Sequence, residues 1–148
     1  MLELYKNALP TQQIYLQWEE LAKKNNFGAF CIFCGIVRDE NQINGLSFDI
    51  YEPLLKEWFS QWEKIAQQQN MIVCMAHSVG DVLLGESSYM SAILSSNRKN
   101  ALELYAEFVE DFKRNAPIWK YDLIGQKRIY AQNRSYALRG SGILADKS

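Results

Sequence analysis

The chain has 148 residues, 48% hydrophobic and 22% charged, enough to bury one core without disulfide or metal staples. Lys plus Arg number 16 and Asp plus Glu 17, a net charge of −1, which excludes the basic excess of a nucleic-acid-binding domain. No apolar run reaches the ~18 residues of a membrane span, the N-terminus with Glu3 does not read as a signal peptide, and three cysteines make no disulfide framework, so a cytoplasmic protein is expected.

Residues 2–6 read as a short edge strand. Pro10 and Thr11 open a helix through Asn25, with Ile14, Leu16, Trp18, Leu21 and Ala22 on its apolar side. Gly28 to Val37 (GAFCIFCGIV) reads as a buried strand. A polar loop follows and closes on a turn at Asn44-Gly45, then Leu46 to Tyr51 form the next strand. Pro53 suits the first turn of a helix to about Gln69, with Leu54, Trp58, Trp62 and Ile65 as its inner stripe. Met71 to Val79 reads as a strand and Gly80-Asp81 as a turn. Val82 to Leu94 reads as a further strand or hairpin broken at Gly85. Asn97 is the expected N-cap of a helix whose buried face carries Ala101, Tyr105, Phe108 and Phe112. Pro117 forces an exit by Ala116. Strands near 118–123 and 127–132 follow, and the tail after Arg134 is irregular. With no repeat, internal linker, G-x-G-x-x-G or P-loop, the pattern is a single α+β domain with an antiparallel sheet and packed helices.

Cys31-x-x-Cys34 has the spacing of a redox or metal motif. Inside a strand, however, positions i and i+3 point to opposite faces. His77 is the only histidine in the chain, so no second ligand pair completes a metal site. Cys31, Cys34 and Cys74 therefore read as small buried hydrophobes, and His77 as structural rather than a general base. The informative segment is Asn97-Arg98, then Lys113, then Lys120. Lys113 falls about 120° from Ala101 on a helical wheel, beside the apolar stripe. Spacing alone reads it as a snorkelling lysine at a helix C-terminus. Asn97-Arg98 sits where a helix N-terminus attracts anions, and Arg38 ends a core strand. Singly these are ordinary solvated charges. Together, beside changes of chain direction, they favour a pocket for an anionic small molecule.

FGAFCIFCGIVRDEN, YEPLLKEW, AHSVGDVLLGE, SSNRKNALE and DFKRNAPIWKYD resemble, in order and spacing, successive segments of molybdopterin synthase catalytic (large) subunits. The resemblance runs from about Phe27 to Arg134. It implies an α/β hammerhead-type fold over one domain spanning 1–148, with a core at 27–134 and an irregular tail at 135–148. It also implies a homodimer within a heterotetramer, whose partner is a small ubiquitin-like sulfur carrier ending in a Gly-Gly thiocarboxylate. The substrate implied is cyclic pyranopterin monophosphate (precursor Z), and no cofactor or metal is expected. The family's functional positions fall on Lys113 and Lys120 for catalysis. Substrate binding falls on Ile36, Val37, Arg38, Asn97, Arg98, Tyr121, Asp122 and Arg134, the last reaching in from the dimer mate.

Two departures stand out. Asn97 replaces the family's usual histidine, and Tyr121-Asp122 replaces Lys-Glu or Arg-Glu. Asparagine has no imidazole proton to move, which keeps open a rival: a non-catalytic dimeric module that binds anions or ubiquitin-like tails. A thioredoxin-like redox protein rests on Cys31 and Cys34 alone. On the enzymatic reading, the arginines hold phosphate and pterin, while an amine of Lys113 or Lys120, its pKa lowered by clustered cations, serves the sulfur transfer.

Overall fold

The computed structural model describes residues 1–131; Arg134 and the tail at 135–148 lie outside them. The element order is β1 (Leu2–Lys6), α1 (Thr11–Lys24), β2 (Ala29–Ile36), β3 (Gly45–Ile50), α2 (Glu52–Gln68), β4 (Ile72–Leu83), β5 (Ser87–Ser95), α3 (Arg98–Asn115), β6 (Ile118–Ile124) and β7 (Lys127–Tyr130). The strands form one seven-stranded sheet in the order β2-β5-β4-β3-β6-β7, with β1 alongside β4. Among the described residues every pairing is antiparallel except β1 with β4. The α+β class expected from the sequence is the class observed.

Strand β4 explains the shape. Its first part pairs with β5 and β1, and its last part, Gly80 to Leu83, pairs with β3. The turn expected at Gly80-Asp81 is absent. Gly80 takes a φ of +88°, which only glycine adopts freely, and the strand bends there but continues. The reversal comes at Leu84 to Glu86, at the break expected around Gly85. The turn expected at Asn44-Gly45 is also absent, because Gly45 already opens β3 and pairs with both Leu83 and Leu123. A side chain at Gly45 would collide with the Val82 carbonyl, so glycine is there for close strand approach rather than for a turn.

Alternation along the central strands divides the core. Val73, Met75 and Ile93 face α2 and α3, whereas Cys74, Ala76, Ala92 and Leu94 face α1. Helix α1 buries Ile14, Trp18 and Ala22. Leu16, expected on that face, is 59% exposed, since two positions correspond to ~200° around a helix. Helix α2 buries Leu55, Phe59, Trp62 and Ala66, one residue round from the expected stripe, and Ile65 is exposed. Both stripes have helical spacing and share Trp62; the one that packs into the core with Val73 and Met75 of β4 is buried. Phe108 lies within ring-contact distance of Trp58, Phe59 and Trp62. That packing fixes α3 against α2.

Strand β2 is not the buried strand its apolar sequence suggested. Among the described residues it pairs with β5 alone, so one edge is open and Phe33, Cys34 and Ile36 are exposed. An apolar run does not reveal whether a strand has one neighbour or two.

Candidate functional site

Helix α3 begins where β5 ends. Asn97 takes an extended backbone, and its Oδ1 accepts a hydrogen bond from the Asn100 N–H at 3.0 Å. This is the expected N-cap. Its side-chain oxygen is thus engaged by the helix, and Arg98 is exposed in the first turn. The 18 residues of α3 then carry the chain ~27 Å back along the sheet at ~1.5 Å per residue. Lys113 is exposed in the last turn.

That last turn is anchored from both sides. Asp111 accepts from the indole N–H groups of Trp58 and Trp62, at 2.8 and 2.7 Å, and from the Asn115 amide at 2.5 Å. Phe112 stacks on Tyr89 with ring centroids 4.4 Å apart and lies 5.9 Å from the His77 ring. His77 also meets Phe48 edge-on at 4.9 Å. The histidine is 3% exposed, with Nδ1 2.8 Å from the Ser78 carbonyl oxygen. Nδ1 therefore carries the proton. Burial pushes its pKa down to about 4, because the charged form loses its solvation. The structural reading of His77 agrees with this environment.

Phe48 is the cross-strand partner of Lys120, and such partners project from the same face of a sheet. Ile118, two residues before Lys120 and on the same face, packs against both the α2–α3 core and the cluster of Val37, Phe48 and Val82. Lys120 therefore lies on the face that α3 covers, and Asp122 shares it. Val37 is 2% exposed. Its N–H donates to Glu86 O at 2.9 Å and its carbonyl accepts from Gly85 N–H at 2.7 Å, which ties the end of β2 to the β4–β5 turn. Ile36 and Arg38 flank it and are exposed. Arg38 pairs with Glu40 at 3.0 Å, a solvated contact worth little to stability. Lys120 and Val37 thus share one apolar, aromatic wall through Phe48, and Lys113 follows Phe112, whose ring reaches the same wall at His77.

Three expected site residues stand elsewhere. Ser95 pairs with Ala29 at one end of the β2–β5 ladder and Ser87 with Ile36 at the other, a separation of ~26 Å at ~3.3 Å per residue. Asn97-Arg98 therefore sits at the opposite end of the chain's fold from Arg38. Tyr121 pairs with Ser47 on the face turned away from Lys120. There the Arg128 guanidinium covers its ring at 4.1 Å. Arg128 donates to Ser47 Oγ at 3.1 Å and to Asp49 Oδ1 at 2.8 Å. Burial, with Asp49 adding to it, raises the Tyr121 pKa. Tyr121 thus belongs to a clamp across β3, β6 and β7, not to the lysine face.

Sequence reasoning missed Asp111, Phe48 and Arg128. A signal existed for the first. Trp58 and Trp62 are one helical turn apart, and buried indole N–H groups need an acceptor.

The cysteines divide. Cys74 is fully buried, with its pKa pushed up to about 12 by burial. Cys31 is half-buried against the α2–α3 core, and burial raises its pKa. Cys34, expected to be buried, is exposed; its thiol lies 3.4 Å from Ser87 Oγ. Cys34 lines a groove of about 570 Å³ with Tyr15, Leu16, Ile32 and Met90. Because Cys31 and Cys34 project from opposite faces, they form no dithiol pair, which removes the redox reading. Among the described residues, no cluster of three His, Cys, Asp or Glu side chains could hold a metal ion. Among them, too, no helix is long and apolar enough to cross a membrane.

A family model described as MoaE protein matches residues 9–115. The chain is 57% identical over 145 residues to the molybdopterin synthase catalytic subunit of Helicobacter pylori strain 26695, covering 98% of this chain and 100% of that protein. Its fold superimposes with a TM-score of 0.92 on a chain in the complex of subunits 1 and 2 of the molybdopterin-converting factor of that organism, at 57% identity, covering 97% and 99% of the two chains. Molybdopterin synthase from Staphylococcus aureus shares the fold at a TM-score of 0.74 and 21% identity, covering 86% and 94%.

Proposed function

The chain belongs to the MoaE family of molybdopterin synthase catalytic subunits, and on that footing we propose that it transfers sulfur to cyclic pyranopterin monophosphate. The sulfur donor in this reading is the C-terminal thiocarboxylate of a small ubiquitin-like subunit, and the product is the dithiolene of molybdopterin. The observation that carries the proposal is the aromatic cluster in which His77 meets Phe112, the residue before Lys113, and Phe48, the cross-strand partner of Lys120. The complex of two subunits seen for the similar Helicobacter pylori protein supports a small-subunit partner.

In this mechanism Arg38 and the strand end at Ile36 and Val37 border the pterin phosphate. The amine of Lys113 lies nearest the reacting carbon and the incoming thiocarboxylate, with Lys120 and Asp122 beside it. The lysine charges stabilise the oxyanion formed when the carrier's acyl group leaves sulfur. The phosphate freed by ring opening anchors the half-sulfurated intermediate until a second thiocarboxylate arrives. Sulfur comes from the carrier, so no cysteine of this chain reacts. Asn97 carries no proton in this scheme; its oxygen caps α3.

Arg98 lies too far from its own Lys113 to serve the same site. A second copy of the chain supplies it in the proposed homodimer, as it does Arg134. Tyr121 acts from behind, through Arg128, as a support for β6.

The test is single-turnover conversion of the pterin with thiocarboxylated carrier. Only an amine sheds a proton near neutral pH, since arginine stays charged. Lys113→Arg should therefore keep substrate affinity within about threefold while losing most of the rate. A Lys113→Arg variant that turns over near the wild-type rate would reduce the lysine to an electrostatic anchor.

A further inference from the structure

His77 takes no part in the chemistry described, yet it touches α3, which carries Lys113, and β3, the strand paired with the Lys120 strand. Its ring meets Phe48, the cross-strand partner of Lys120, at 4.9 Å. It meets Phe112, which precedes Lys113, at 5.9 Å. Tyr89 closes the third side, 5.9 Å from His77 and stacked on Phe112. The ring itself is fixed by the bond from Nδ1 to the Ser78 carbonyl. Lys113 ends a helix and Lys120 sits in a strand beyond the proline turn, so their relative position depends on what lies between α3 and β3–β6. In this cluster that element is the imidazole.

We propose that His77 is a positioning residue for the sulfur-transfer site, a wedge whose ring sets the separation between Lys113 on α3 and Lys120 on β6. The inference rests on the proposed role of the two lysines. It assigns the imidazole a geometric task, with no proton transfer of its own. A neutral ring suits that task, because an imidazolium among three aromatic side chains would be poorly solvated; its pKa of about 4 keeps it neutral at physiological pH.

The experiment is single-turnover kinetics of the full chain with thiocarboxylated carrier and cyclic pyranopterin monophosphate, using His77→Asn, His77→Phe and Phe112→Leu. The amplitude reports the folded, competent fraction and the rate constant reports geometry within it. His77→Asn keeps a donor for Ser78 but loses the ring. It should lower the rate constant at least tenfold with substrate affinity within about threefold, since misplacing reacting groups by ~1 Å costs on the order of 10²-fold. His77→Phe keeps a ring and loses the donor, and should recover a larger share of the rate constant than His77→Asn. Phe112→Leu, which removes the contact from the α3 side, should lower the rate constant like His77→Asn. A loss confined to amplitude, or a better rate constant for His77→Asn than for His77→Phe, overturns the proposal. Lys113→Ala separates the two levels. If Lys113→Ala is inactive while His77→Asn keeps its rate constant, the wedge alone is wrong. If Lys113→Ala turns over normally, the underlying reading of the site is wrong.

Discussion

Replacing Asp111 with alanine tests what anchors the end of α3. One carboxylate oxygen accepts from two indoles, at 2.8 and 2.7 Å, and the other from Asn115. Alanine removes all three acceptor contacts at once. A buried donor left without a partner costs ~1–3 kcal/mol. Trp62 is 9% exposed, so its indole has little access to water; Trp58 is half-buried and recovers part of its loss by hydration, and Asn115 recovers most of its own. The expected cost is about 2–4 kcal/mol. At roughly 3 °C per kcal/mol for a chain of this length, Tm should fall by about 6–12 °C. Asp111→Asn keeps one oxygen acceptor for the indoles and should cost about half as much. Thermal and urea unfolding followed by far-ultraviolet circular dichroism measure both variants without relying on the two tryptophans as probes. Asp111→Ala within ~0.5 kcal/mol of wild type, the range of an ordinary surface change, would refute the anchor.

The buried His77 makes stability pH-dependent. Its pKa falls from 6.5 to about 4 on folding, so the unfolded chain binds more protons between these values. Its full contribution is present above pH ~6.5 and is lost as pH falls toward ~4, by roughly 3 kcal/mol in total; His77→Phe should flatten that part of the urea-midpoint profile. The thiols should separate in a native titration, Cys34 reacting promptly and Cys74 only on unfolding. Cys34→Ala should cost under ~0.5 kcal/mol and Cys74→Ala about 1–2 kcal/mol, both with sulfur transfer preserved in the folded fraction. Mixing Lys113→Ala chains with Arg98→Ala chains should restore turnover in mixed dimers, where one site receives both intact residues. Proven subunit exchange without recovered activity would exclude the shared site.

Local chemistry determined much of this protein in advance. Asn97 as N-cap, the exit of α3 before Pro117 and the strand at residues 2–6 depend on backbone preferences and near-neighbour hydrogen bonds, so the residue order alone sufficed. The opposite faces of Cys31 and Cys34 follow in the same way from strand alternation. The family was legible from the segments around Arg38, Asn97-Arg98, Lys113 and Lys120, and the match over residues 9–115 agrees. Tertiary contacts decided the rest. Two helical stripes on α2 were equally periodic, and packing against β4 selected the one to bury. An apolar β2 was consistent with a central or an edge strand, and neighbour count is not encoded within the strand. Gly80 suited a turn or a bent strand, and pairing with β3 made it the latter. The division of the site has the same origin. His77 lies between Phe112 of α3 and Phe48 of β3, the cross-strand partner of Lys120, while Arg98 stays at the far end because a helix and a strand ladder have fixed rises per residue.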